Sequence, residues 1–170
     1  MNELSESYYP IDLNSDEYFM NDAIKEGNKA LRNNEVPVGA VVVHNGTVIG
    51  RGYNQVEMLK DATAHAEMLA LSSAQEYVGD WRLNDCDLYV TKEPCAMCAG
   101  GINHCRIRSV IFGCSSPTDG AAGGGYVNLL NQPTLNHRSE IRSGVLADSS
   151  SQLFRDFFQS ARSNSKKKNQ

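Results

Sequence analysis

The spacing of apolar residues changes twice in the first third of the chain. Phe19, Met20, Ala23, Ile24, Gly27, Ala30 and Leu31 recur at three- and four-residue intervals, which predicts an amphipathic helix. Ser15 is placed to cap it, Asp16 and Glu17 suit the positive end of its dipole, and Asn33-Asn34 mark its end. Residues 38–43 are a β-branched run, Asn45-Gly46 is a strong hairpin signal, and residues 47–52 return as the partner strand.

Helical composition resumes over residues 62–75, rich in Ala, Leu, Met and Glu, with Thr63 as the expected N-cap. Residues 87–91 read as a short strand, Pro94 as the start of a helix through residue 99, and residues 109–113 as another buried strand. Strand, helix and strand in that succession imply a right-handed parallel crossover. Residues 139–146 are expected to supply a last strand or turn, and Leu153, Phe154, Phe157, Phe158 and Ala161 a closing helix. The expectation is an α/β fold: a three-layer α-β-α domain with a central mixed β-sheet. In domain terms, residues 1–14 are a flexible extension, 15–162 the domain and 163–170 a basic disordered tail carrying Lys166, Lys167 and Lys168.

Composition narrows the class. With 41% hydrophobic and 21% charged residues the chain is an ordinary globular protein, no apolar run reaches the roughly 20 residues of a membrane span, and the polar, acidic start does not resemble a signal peptide. A cytoplasmic protein with no membrane partner is expected. Five cysteines, with one Cys-x-x-Cys pair, do not form a disulfide ladder, so thiols or metal ligands are the better reading. The net charge of -4 argues mildly against a polyanionic partner, but it is concentrated in an acidic head, whereas the last 20 residues are basic.

The chemistry lies in two short segments. Cys95 and Cys98, at a helix start, can reach one ion, and the helix dipole favours their thiolate form. Zinc needs a third ligand, and a catalytic site leaves a fourth position to water; His65 in Ala64-His65-Ala66-Glu67 is the best candidate. Glu67, two residues on, is badly placed as a further ligand on a regular helix and suits a proton carrier. His-x-Glu followed by Pro-Cys-x-x-Cys is the signature of zinc nucleobase deaminases, tRNA-acting members included. Cys86, Cys105 and Cys114 are expected as buried small hydrophobes, Trp81 and Tyr89 as core or interface, and His137 as structural. The glycine-rich stretch after Gly120 lacks a Gly-Lys-Ser ending, so it is a connection or tight packing point and not a phosphate loop.

At these residues the chain resembles the bacterial tRNA-specific adenosine deaminases of the cytidine deaminase-like superfamily. The resemblance spans roughly residues 15–162 and rests on Glu35-Val36-Pro37-Val38-Gly39, Gly52-Tyr53-Asn54, the two metal segments, His104-Cys105-Arg106-Ile107 and Asn136-His137-Arg138. It implies conversion of adenosine to inosine at the wobble position of a tRNA anticodon stem-loop, by a homodimer with one Zn2+ per subunit. It also implies His65, Cys95 and Cys98 as metal ligands and Glu67 as the catalytic proton carrier. Asn54, Val36 and Pro37 would bind the base or its ribose, with the backbone N–H of Ala66 and Cys95 donating to the developing oxygen. His104, Arg106 and Phe157 or Phe158 would contact the RNA, one of the two phenylalanines being expected to pack in the core. The chain departs from the family after Gly113, where Cys114-Ser115-Ser116-Pro117-Thr118 replaces a charged loop, at Ala62 in place of a common proline, and in its N-terminal extension.

Overall fold

The computed structural model describes residues 12–125 and 127–168, the side chains of 163–168 excepted. The expected extension therefore lies mostly outside the described residues. Helix α1, Asp16–Arg32, begins where Ser15 Oγ accepts the amide of Tyr18 and ends at Asn33. Strands β1, Gly39–His44, and β2, Thr47–Tyr53, are joined by Asn45 and Gly46, both at positive φ (47° and 73°), as a tight hairpin requires. Then follow α2, Val56–Leu59; α3, Ala66–Val78; β3, Cys86–Lys92; α4, Ala96–Cys105; β4, Ser109–Cys114; β5, Glu140–Ser143; and α5, Ala147–Lys168.

The five strands form one mixed sheet in the order β2-β1-β3-β4-β5. Strand β1 is antiparallel to β2 and β3, whereas β3, β4 and β5 are parallel, so α4 is the crossover helix expected between β3 and β4. Alternation along the strands builds two cores. Ala40, Val42, Leu88, Val90, Val110 and Phe112 face Ala66, Ala70 and Leu71 of α3 and Ala99 and Ile102 of α4. Val41, Val43, Tyr89 and Ile111 face Phe19, Met20 and Ala23 of α1 on the other side, where α5 also packs through Leu153. The three-layer α-β-α arrangement is as expected.

Four expectations are corrected. Helix α3 starts at Ala66 and not near residue 62, because Asp61 Oδ1 captures both the amide and the hydroxyl of Thr63 (2.8 and 2.7 Å) and turns the chain before the helix begins. His65, not Thr63, is its N-cap. Helix α4 is capped by Cys95, with Pro94 outside it, and runs on to Cys105. Helix α5 carries helical backbone through residue 168, across most of the segment expected as a disordered tail, since lysine is a good helix former. Of the two placements expected for Trp81, its half exposure excludes the core and leaves the interface; the Arg82 guanidinium lies 4.1 Å above its ring.

The seating of α3 depends on Gly52. A Cβ there would stand 2.3 Å from the Ala66 carbonyl oxygen and 2.7 Å from the Ala70 amide nitrogen, so only glycine lets the helix start lie this close to β2. Across the sheet, Asp16 ties α1 to two strands. It accepts the Tyr89 hydroxyl (2.9 Å) and, bidentately, Nε and Nη2 of the Arg142 guanidinium (2.8 and 3.0 Å).

Gly52→Ala is expected to cost about 1–3 kcal/mol in urea unfolding, because backbone atoms of α3 must move. Arg142, with Tyr89 assisting, holds the Asp16 carboxyl below its ordinary range. A carboxylate whose folded pKa is depressed contributes stability above its unfolded pKa and loses it as pH falls through the folded value. Asp16→Asn should therefore cost about 1 kcal/mol at neutral pH, after allowance for partial exposure, and nothing once pH is below the carboxylate range. Thermal melts across that range check it.

Candidate metal centre and base pocket

Two helix starts converge at the edge of the sheet. His65 and Cys95 are both N-cap residues with extended backbone (φ −73° in each), so their side chains leave the chain before the helix turns away. His65 Nδ1 lies 3.7 Å from Cys95 Sγ and 3.5 Å from Cys98 Sγ, and all three ligand atoms are within 4.8 Å of one another. Tetrahedral zinc with bonds of about 2.0 Å to nitrogen and 2.3 Å to sulfur would separate N from S by about 3.6 Å. The three groups fit the ion in donor type and in span.

The thiols differ in ionisation. An S–H from Cys98, with the amides of Cys98 and Met97, holds the Cys95 thiol down at about 5, whereas Cys98, donor in that pair and more deeply buried, is pushed up. Glu67 is buried at the second position of α3, and burial raises its carboxyl. Its carboxyl is hydrogen-bonded to the Cys98 thiol, beside the three-atom cluster and not part of it. His65 is a cap and not a helical residue, so the two-residue offset brings His65 and Glu67 onto one pocket.

That pocket, of about 640 Å3, is lined by Val36, Val38, Asn54, His65, Glu67, Cys95 and Phe157 among others. Of the expected base-binding residues, Asn54 and Val36 reach it, whereas Pro37 is buried and does not line it, and Val38 does. Cys98 and Ala66 are buried beneath it. Phe157 reaches the pocket half-buried and Phe158 is exposed, so neither is the core residue expected of one of them; Leu153 fills that role. His104 and Arg106 sit at the other end of α4, about 14 and 17 Å from Cys95 along the helix at 1.5 Å per residue, and do not line the pocket. His137 is structural, its Nε2 2.6 Å from the carbonyl oxygen of Ile107. Of the three remaining cysteines only Cys86 is fully buried.

Two glutamates carry more of the site than sequence reasoning assigned them. Glu93, just before the Cys-x-x-Cys segment, is buried, and its carboxylate accepts the amides of Ser116 (2.8 Å), Ala122 (3.0 Å) and Gly124 (2.8 Å). The glycine-rich stretch is thus a tight packing point: a Cβ at Gly120 would lie 2.3 Å from Glu93 Cδ. At the pocket rim the altered loop offers Asp119, whose carboxylate pairs with Lys92 at 2.9 Å. Glu35, buried on the opposite wall, accepts from Asn54 Nδ2 and from the amides of Glu57 and Met58. A lone glutamate gives no sequence signal for such roles, because its partners are backbone amides far along the chain.

Comparison with known proteins fits this geometry. Residues 13–114 match the family model described as the cytidine and deoxycytidylate deaminase zinc-binding region, which defines the class. The chain is 41% identical over 157 residues to the tRNA-specific adenosine deaminase of Streptococcus pyogenes serotype M18, covering 92% of this chain and 98% of that one. It is 42% identical over 154 residues to the Bacillus subtilis enzyme of the same name, covering 91% and 95%. A solved structure from work on A-to-I editing by tRNA:A34 deaminases superposes with a TM-score of 0.77 at 41% identity, covering 80% of this chain and 98% of that one. A guanine deaminase from Nitrosomonas europaea shares the fold, with a TM-score of 0.73 at 24% identity over 92% and 97% of the two chains. The chain belongs to the tRNA-specific adenosine deaminase family, within the zinc-binding cytidine deaminase class.

Glu93→Ala removes the acceptor from the buried amides of Ser116 and Ala122 and from the more exposed amide of Gly124. It is expected to lower stability by about 2–4 kcal/mol and to speed hydrogen exchange at Ser116, Ala122 and Gly124, which amide-resolved exchange measures.

Proposed function

We propose that this protein deaminates adenosine to inosine at the wobble position of a tRNA anticodon, with residues 15–162 as its catalytic domain. The observation that carries the reading is a His, Cys, Cys cluster of zinc dimensions sharing one pocket with a buried carboxylate. The 41% identity to enzymes named for this reaction supports it.

His65, Cys95 and Cys98 hold one Zn2+. Bound there, the ion supplies Lewis acidity sufficient to bring the pKa of a water towards about 7. Glu67, its carboxyl raised by burial, takes a proton from the attacking water and gives it to the purine ring nitrogen, where it stays; it then carries the second proton, from the hydroxyl now on C6, to the departing amine. A C6–O bond forms, the C6–N bond breaks, and ammonia leaves. The backbone N–H groups of Ala66 and Cys95, unpaired within their helices as first-turn donors, face the charge that develops on oxygen. Val36 forms the apolar wall for the base, Asn54 offers it an amide, and Phe157 offers a ring on which a neighbouring loop base stacks. His104 and Arg106 lie outside the pocket as contacts to RNA backbone, since a stem-loop is much broader than the pocket that takes one base.

The enzyme acts in the cytoplasm as a homodimer. Exposed Met58, Leu59, Met97 and Val127 offer apolar surface for a second copy. Among the described residues no helix is long and apolar enough to cross a membrane.

Zinc-loaded protein should form inosine in an anticodon stem-loop RNA with adenine at the wobble position. If it leaves that RNA unchanged while deaminating free guanine or cytidine, the substrate assignment is wrong. Glu67→Gln should keep its zinc, read by metal analysis, and lose turnover by about 100- to 10,000-fold, because an amide cannot take the water's proton.

A further inference from the structure

Asn54 is held more tightly than a residue that merely lines a pocket. Its backbone amide donates to the Val38 carbonyl oxygen (3.0 Å) and its Nδ2 to Glu35 Oε2 (3.1 Å). Glu35 is 1% exposed and Asn54 6%, and both border the pocket that His65 and Glu67 line. The carboxylate is itself fixed: Oε2 also accepts the Glu57 amide (3.2 Å) and Oε1 the Met58 amide (2.7 Å). Three N–H groups thus converge on Glu35, and it acts only as an acceptor.

A carboxamide has two orientations that differ by a half-turn and exchange donor for acceptor. Facing Glu35, Asn54 can present only its N–H, because Oδ1 would set one acceptor against another. Oδ1 is then left towards the remaining side of the group, without a hydrogen-bond partner among the described residues.

We propose that Glu35 is a positioning residue for the reaction: it fixes the orientation of the Asn54 carboxamide and so sets the donor and acceptor pattern offered to the bound nucleoside. This rests on the functional reading above in so far as Asn54 meets the base or ribose. Glu35 works through Asn54, and its own carboxylate is occupied by the start of α2. An unpinned amide would spend part of its time reversed, and binding would weaken by the loss of that one hydrogen bond.

The test joins a spectroscopic readout to kinetics. In wild-type protein the Asn54 side-chain amide protons should give a nuclear Overhauser effect to the Glu57 backbone amide proton, since both donate to one oxygen; its absence overturns the proposal. In Glu35→Leu, which has no acceptor, that effect should disappear, and KM should rise about tenfold with kcat within about threefold and zinc content unchanged. KM is measured on the stem-loop RNA or on whichever base substrate the wild type turns over. A wild type that spares the RNA thus fails the functional reading without deciding this one. The double variant Glu35→Leu/Asn54→Ala should be no worse than Asn54→Ala alone, since both remove the same contact. Additive losses, an unchanged KM, or a loss of zinc in step with activity would show that Glu35 only supports the fold. Should the leucine variant fail to fold, the same cycle is run with Glu35→Asp, whose shorter side chain withdraws the carboxylate from Asn54, with the same non-additivity expected.

Discussion

The structure depends on two helix starts meeting at their cap residues. His65 and Cys95 each occupy the half-in position where the backbone is still extended, and this lets a side chain point along the approaching chain towards its counterpart. A separation of 3.7 Å between their ligand atoms tolerates little movement of either helix. Strand β2 therefore carries glycine where α3 begins, and α4 connects the paired parallel strands β3 and β4, packed on the sheet through Ala99 and Ile102. The same caps bring unpaired amides and the positive ends of two dipoles to one place, where anionic ligands and developing negative charge are stabilised together.

Around that meeting point buried carboxylates act as anchors for backbone. Glu93 gathers three amides of the loop after β4 and Glu35 two at the start of α2. Both are glutamates whose desolvation is offset by N–H donors, which is the condition on which a buried charge is tolerated. The pocket walls are in this sense polar in construction and largely apolar in lining. The loop that replaces the family's charged segment is held by Glu93 through its backbone amides and by Asp119, which pairs with Lys92 and accepts the Ser116 hydroxyl.

Much of this was legible in the sequence. Helix α1 announced itself by period and by its Ser15 cap, the hairpin by Asn45-Gly46, and the parallel pair by strand, helix and strand in succession. The metal triad was legible because thiol and imidazole spacing reflects chemistry that few other arrangements use. The start of α3 was not, because the turn closed by Asp61 outweighs helix propensity over residues 62–65. Helix α2 has only four residues, too few for a period. Glu35 and Glu93 were illegible as anchors, since their partners are amides, identical at every residue, brought near only by the fold. Arg106 and His104 read as neighbours of the site because they follow Cys98 closely, but a helix carries its far end away at 1.5 Å per residue.

That His65, Cys95 and Cys98 hold one zinc ion with a position left open is tested most directly by X-ray absorption at the zinc edge of the metal-loaded protein. Two sulfur ligands at about 2.3 Å and two nitrogen or oxygen ligands at about 2.0–2.2 Å, the second of them exchangeable, are expected. Four sulfur ligands, or a shell without sulfur, would contradict it.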